Sequence, residues 1–316
     1  MPTILKKIPF AFLLFAMSCC ASVKQQDDRQ LHTTLLNDIK TLSSDNYEGR
    51  KTGTAGAEKA RAYITERFTK LGIKPFPDQS NYLQPFMFQA KDSKQFTGQN
   101  VLGYIPGKLK ECIVISAHYD HLGTEGNKIY NGADDNASGV AALLHFAEYF
   151  SKNPPNFTLI FAAFDAEEMG LKGAKAFVDA PPVALHQIKL NINMDMIAHN
   201  DKNELYACGT FTHPELKKYI ITDHESIKIT LGHDDPKTGH DDWTNQSDQG
   251  AFNAKNIPFI YFGVEDHKDY HQPTDDFENI NQDFFVGATK AILAVIKNID
   301  GKLSSKIQID KNKIMK

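Results

Sequence analysis

Residues 132–139 read Gly132-Ala133-Asp134-Asp135-Asn136-Ala137-Ser138-Gly139, and this stretch decides the fold. Glycine, serine, asparagine and aspartate here are turn formers, so the chain bends. Val140, Leu143, Leu144, Ala147 and Phe150 then recur at helical spacing, so a helix starts directly after the turn. Upstream, the apolar run Cys112 to Ala117 reads as a strand and ends at His118-Tyr119-Asp120. The unit is a strand, an acidic turn and a helix. Downstream, the strand Thr158–Phe164 leads to Glu167-Glu168, the strand Leu190–Met196 carries Asp195, and the strand Ile257–Val264 precedes His271.

The remaining segments fit around these strands. Leu31, Leu35, Leu36, Ile39 and Leu42 predict a first amphipathic helix. Ser43 to Ala55 reads as a loop. Ala57 to Leu71 reads as a second helix, with Tyr63, Ile64, Phe68 and Leu71 inward and Gly72 and Pro75 ending it. Residues 76–100 read as irregular. Asn100–Ile105 and Cys112–Ala117, separated by Pro106-Gly107, suggest a hairpin. Gly173–Val178 and Pro214–Ile221 are short helices, 232–249 is a long polar loop, and Phe284–Ile299 is a final amphipathic helix. Strands alternating with helices predict an α/β fold, a three-layer α/β/α sandwich with a mixed, mostly parallel central sheet.

The chain has 316 residues, 41% of them hydrophobic, with a net charge of -4. This is enough for a sizeable core, and the basic footprint of a nucleic-acid binder is absent. Lys6 and Lys7, the apolar run Ile8–Met17 and Ser18-Cys19-Cys20 predict an export signal over residues 1–20, too short to span a bilayer. The pattern resembles a bacterial lipoprotein signal, with Cys19 as lipid acceptor and membrane anchor; ordinary cleavage to a periplasmic or secreted protein is the alternative. Residues 21–30 read as a flexible tether, 31–300 as a single catalytic domain and 301–316 as a basic tail. Cys112 and Cys208 would remain after processing, either paired or as buried thiols.

Each chemically interesting group follows a strand. His118 and Asp120, Glu167 and Glu168, Asp195 and His271 come from separate strands, and in open α/β sheets sites form beyond the carboxyl ends of strands. Histidine and carboxylate ligands suit zinc. Two zinc ions about 3.5–4 Å apart can share a hydroxide and polarise a carbonyl. They need a bridging carboxylate, and a further free carboxylate is needed as general base. Glu167 and Glu168 can divide ligation and proton transfer between them. Asp120 can orient a metal-bound His118.

On these blocks, together with Asn46-Tyr47-Glu48-Gly49-Arg50, Gly53-Thr54-Ala55-Gly56 and Ser247-Asp248, the chain resembles the co-catalytic zinc exopeptidases, the family of bacterial secreted leucyl aminopeptidases and glutamate carboxypeptidase. The resemblance runs from about Leu42 to Ile299. It implies two zinc ions, with His118 and Asp195 on one, Glu168 and His271 on the other, and Asp135 bridging. It implies Glu167 as general base, Asp120 orienting His118, a cis peptide between Asp135 and Asn136, and peptides as substrates. A Ser-Asp-His block of the family reads Ser247-Asp248-Gln249 here, which leaves the third position without an assigned role. The stretch 76–100 is too short for the protease-associated domain that relatives insert there.

His121, His199, His233, His240, His267, Asp241 and Asp242 offer similar chemistry, but the set above already fills the ligand shell, so they read as solvated loop groups. Asp134 is as good a turn and cap residue as Asp135. Trp243 and Phe252 read as pocket borders or local packing. The rival readings are a carboxypeptidase or dipeptidase of the same build, a one-zinc glutaminyl cyclase-like transferase and a non-catalytic binding lipoprotein.

Overall fold

The computed structural model describes residues 32–78, 81–90 and 93–303. The export segment, Cys19, the tether and most of the basic tail lie outside the described residues. A helix over 32–42 (α1) is followed by α2 (Ala55–Lys70), β1 (Leu83–Gln89), β2 (Gln95–Ile105), β3 (Cys112–His118), β4 (Gly123–Glu125), β5 (Lys128–Tyr130) and α3 (Gly139–Lys152). Then come β6 (Thr158–Phe164), α4 (Lys172–Asp179), β7 (Ile188–Met194), β8 (Glu204–Cys208), β9 (Asp223–His224), β10 (Ile227–Leu231), α5 (Gln249–Asn253), β11 (Phe259–Gly263) and α6 (Gln282–Lys302).

Nine strands form one sheet in the order β1-β2-β6-β3-β7-β11-β8-β10-β9. The central four, β6, β3, β7 and β11, run parallel, so their carboxyl ends share one edge. Helices cover both faces, which is why β6 and β11 read as apolar runs, while β3 and β7 add the buried polar residues Ser116, Asn191 and Asn193. Alternate residues of β3 show the period of two: Ile113, Ile115 and Ala117 join the cluster that includes α2, α3 and α6, whereas Cys112 and Val114 join the one that includes α4 and α5. Burying an aromatic such as Phe161 or Phe164 on these faces contributes about 1.5–3 kcal/mol each.

Local chemistry sets the helix ends. Thr54 caps α2 by accepting from the Ala57 N–H, Asn281 caps α6 by accepting from the Phe284 N–H, and Gly72 ends α2 at φ +69. A polar network is buried under α5. Ser116 donates to Asn193 Oδ1 at 2.7 Å, and Asn193 Nδ2 donates to Ser247 Oγ and Gln249 Oε1, both at 3.0 Å. Gln249 therefore ties α5 to the sheet.

Two expectations about strand pairing are corrected. Residues 76–100 are not irregular, because β1 and β2 form an antiparallel hairpin there. Strands β2 and β3 do not pair with each other; β6 lies between them, antiparallel to β2 and parallel to β3. The sheet is still mixed, but through other partners. Cys112 and Cys208 are both buried and free, so they do not pair. The final helix also runs past Gly301 to Lys302, and Leu303 is buried. Among the described residues no helix is long and apolar enough to cross a membrane.

Candidate metal centre

The carboxyl edge of the parallel strands carries the site. His118 is the last residue of β3, Asp195 directly follows β7, and Glu167-Glu168 lie just past β6. His271 is eight residues beyond β11. Asp135 enters from the turn before α3. Its backbone N–H and that of Asp134 donate to the Asp275 carboxylate at 3.0 and 2.8 Å, and the Asp135–Asn136 peptide is cis. The glycines bounding this turn are forced by close approach. A Cβ on Gly139 would meet Asn136 Oδ1 and the Met194 carbonyl, each at 2.5 Å; Gly132 has φ +56 and no room for a side chain.

Several side chains are aimed by backbone bends that glycine normally serves. Ala166, Met196 and His271 all adopt positive φ, between 55 and 58. Each costs roughly 1 kcal/mol, and they sit immediately before Glu167, immediately after Asp195 and at a candidate ligand itself.

The distances divide the site into two halves around one carboxylate. His118 Nε2 lies 3.1 Å from Asp195 Oδ1 and 3.4 Å from Asp135 Oδ1. His271 Nε2 lies 3.1 Å from Asp135 Oδ2 and 3.5 Å from Glu168 Oε2. Two ligands at the usual zinc distances on a tetrahedral ion stand about 3.4 Å apart. The two donor sets therefore fit a cation each, with Asp135 offering one oxygen to either side. His118 Nδ1 faces the Asp120 carbonyl at 3.1 Å and donates to it, which leaves Nε2 with its lone pair toward the carboxylates.

The electrostatics call for positive charge at both places. Burial alone would hold the His118 imidazole neutral, yet the Asp195 charge and hydrogen bonds to Asp120 and Asp195 put its pKa well above the usual value. Burial likewise opposes protonation of His271, but hydrogen bonds to Asp135 and Glu168 raise it to about 10. A zinc ion answers the same field without a proton. Burial pushes Glu167 well above the usual carboxylate range, with the His118 charge opposing and Asp195 reinforcing. Its carboxyl lines a cavity of about 320 Å³ with His118, Asp135, Glu168, Asp195 and His271; Leu171, Met196 and Tyr270 supply its less polar wall.

All seven residues singled out for the site, His118, Asp120, Asp135, Glu167, Glu168, Asp195 and His271, meet at this edge. The Asp120 contact differs from expectation. Its carbonyl, not its carboxylate, is the nearer partner of His118, since Asp120 Oδ1 is 3.7 Å from His118 Nδ1. The carboxylate instead accepts from the Glu167 N–H at 3.0 Å and from Thr52 Oγ1 at 3.3 Å. Asp120 thus touches both a candidate ligand and the candidate base.

Other groups fall elsewhere. His121 is not a solvated loop group: it is buried, with Nδ1 2.8 Å from Glu168 Oε1. Asp134 faces away from the centre, accepting from the Ala198 N–H at 2.6 Å and pairing with His267 Nε2 at 3.0 Å. His199, His267 and Asp269 cluster beside it. His267 spends both ring nitrogens on Asp134 and the Asp269 N–H, so this cluster braces the Asp134 turn. His233 pairs with Asp241 and stacks on Trp243, a local loop contact. Phe252 packs with Phe164 and Phe177 in the core.

Two supporting residues stood in quoted blocks without an assigned role. Arg50 is buried and donates to the carbonyls of Tyr119, Leu42, Asn131 and Gly132, binding the exit of β3 to the turn that carries Asp135. Burial lowers its pKa to about 10 against the pull of Asp135, Asp275, Asp120 and Glu168. Asp248 is buried with neither oxygen hydrogen-bonded among the described residues, and burial pushes it up to about 8. Its block name signalled neither the burial nor the proton.

Comparison with known proteins bears on the fold and the family. The chain is 27% identical over 212 residues to aminopeptidase YwaD of Bacillus subtilis, covering 63% of this chain and 44% of that one. The chain spans about half the length of two curated relatives that it matches over about 60% of its own length. Among solved structures, a leucine aminopeptidase precursor from Bacteroides thetaiotaomicron superposes with TM-score 0.66 at 17% identity, covering 84% of this chain and 97% of that one. A glutaminyl cyclase from the same species superposes equally well, with TM-score 0.66 at 18% identity over 84% and 97% of the two chains. These likenesses establish the zinc-exopeptidase fold. The profile of peptidase family M28 matches residues 100–296, most of the described chain, and so the chain belongs to peptidase family M28.

Proposed function

We propose that this protein is an exported zinc aminopeptidase that holds two zinc ions, one by His118, Asp135 and Asp195 and one by Asp135, Glu168 and His271. One observation carries the reading: the two oxygens of the single Asp135 carboxylate face two different imidazoles, at 3.4 and 3.1 Å. Zinc bound there would acidify water and polarise a peptide carbonyl. The chain's own residues supply the rest. Glu167, which lines the cavity beside both donor sets, accepts the proton of the attacking water and returns it to the leaving amine. Asp120 anchors Glu167 through its backbone N–H and fixes the tautomer of His118 through its carbonyl. The cavity of about 320 Å³ is acidic, which suits the free ammonium of a peptide N-terminus. Lys6, Lys7 and the apolar run to Met17 support export, with Cys19 as lipid acceptor.

The test is a mixed peptide library incubated with the purified protein, with and without a chelator, and read by mass spectrometry. Chelator-sensitive loss of single N-terminal residues is the expected result. Loss from the C-terminus, or ring closure of N-terminal glutamine, would replace this reading with a carboxypeptidase or a cyclase. No turnover would leave a binding protein.

A further inference from the structure

His121 sits one residue past Asp120 with its side chain wholly buried. Its place is made by its neighbours. The Tyr119 N–H donates to the Phe164 carbonyl at 2.9 Å, carrying the β3–β6 pairing past the end of β3, and Arg50 Nε donates to the Tyr119 carbonyl at 2.8 Å. Gly132 leaves room for the ring: a Cβ there would come within 2.6 Å of His121 Cδ2. The imidazole points at the second half of the centre, with its centroid 5.8 Å from that of His271.

Glu168 is shared between these two histidines. Its Oε2 lies 3.5 Å from His271 Nε2, a spacing that fits two ligands of one ion. Its Oε1 lies 2.8 Å from His121 Nδ1, the length of a charge-assisted hydrogen bond and shorter than any ligand–ligand spacing in the centre. The nearest Asp135 oxygen is farther from Nδ1, at 3.6 Å. His121 Nε2 is buried and has no hydrogen-bond partner among the described residues, so the polar engagement of the ring is toward the carboxylates alone.

We infer that His121 is a positioning residue for the second zinc: its Nδ1–H holds Glu168 Oε1, so that Glu168 presents Oε2 alone as ligand. The inference rests on the two-zinc reading above. A carboxylate free to rotate would exchange its oxygens and lose the alignment with His271. Removing an outer hydrogen-bond partner of a metal ligand typically weakens metal binding about 10–100-fold. The effect should be confined to the Glu168–His271 half, because His121 does not reach the Asp195 half.

The experiment titrates metal-free full-length protein with zinc against a competing chelator. It reads the affinity of each of the two ions and, separately, the melting temperature of the metal-free protein. The variants are His121→Phe, His121→Asn and His121→Gln. Wild type should take up two ions. His121→Phe should bind the first normally and the second about 10–100-fold more weakly, and its metal-free melting temperature reports whether the variant still folds. His121→Asn places an amide N–H close to the Nδ1 position and should recover most of the loss. If Phe does not fold, Gln, whose N–H is displaced by one methylene, should weaken the second ion where Asn does not. Second-ion affinity unchanged in every variant would overturn the inference. So would Asn losing as much as Phe, which would make the ring a direct ligand or a packing element. Wild type taking up fewer than two ions would instead overturn the two-zinc reading, and this inference with it.

Discussion

The two halves of the centre are built differently. His118 and Asp195 stand at the ends of β3 and β7, adjacent parallel strands, and the His118 side chain is 1% exposed. His271 stands on a loop beyond β11, its side chain is 37% exposed, and it stacks on Tyr270 rather than inside the sheet layers. The first half inherits its geometry from adjacent central strands of the sheet, whereas the second is braced locally by Glu168 and its neighbours. Both halves face the same cavity, but the imidazole of the first is buried and that of the second is in reach of solvent.

Asp135 belongs to both halves, so its loss should erase the contrast. Asp135→Asn removes the bridging charge and one oxygen ligand, and is expected to abolish stable binding of at least one ion and lower turnover by about 10⁴-fold or more. Metal analysis and kcat/KM on the same preparation check this. A variant with both ions and near-normal rate would show that Asp135 is a turn residue. The contrast itself is sharpened by comparing His118→Ala with His271→Ala. Both lose a candidate ligand, but His271→Ala should keep the ion of the His118–Asp195 half, whereas His118→Ala empties a buried position and should also lower the melting temperature, through a stability loss of roughly the 1–3 kcal/mol of an unsatisfied buried polar group. Differential scanning calorimetry with metal analysis reads both effects. Equal behaviour of the two variants would remove the distinction between a strand-borne and a braced half.

Much of this was legible before any coordinates. The four parallel strands announce themselves because both faces are covered, so their residues are mainly apolar, interrupted in β3 by Ser116 and in β7 by Lys189, Asn191 and Asn193. The candidate residues His118, Glu168 and Asp195 lie at or just past the ends of those strands, and strand ends are where such sites form. The edges were less legible. In β1 the residues alternate between part-buried and exposed, and its Gln, Pro and Met positions look like a loop. The Pro106-Gly107 turn is a real signal of a bend, but a local signal cannot say that β6 will insert between the strands it joins. The second tier of the site was hidden for a related reason. The burial of His121, the pairing of His267 with Asp134 and three of the four carbonyls gathered by Arg50 arise from contacts far apart in sequence. The left-handed backbone at Ala166, Met196 and His271 carries no residue-type cue, since glycine is absent from all of these positions.

The most direct test of the account is anomalous X-ray scattering at the zinc absorption edge from crystals of the purified, zinc-loaded protein. The account predicts two peaks, one on each side of the Asp135 carboxylate. One should lie within bonding distance of His118 and Asp195, the other within bonding distance of Glu168 and His271. A single peak, or a second peak held by the His199–His267–Asp269 cluster instead, would contradict it.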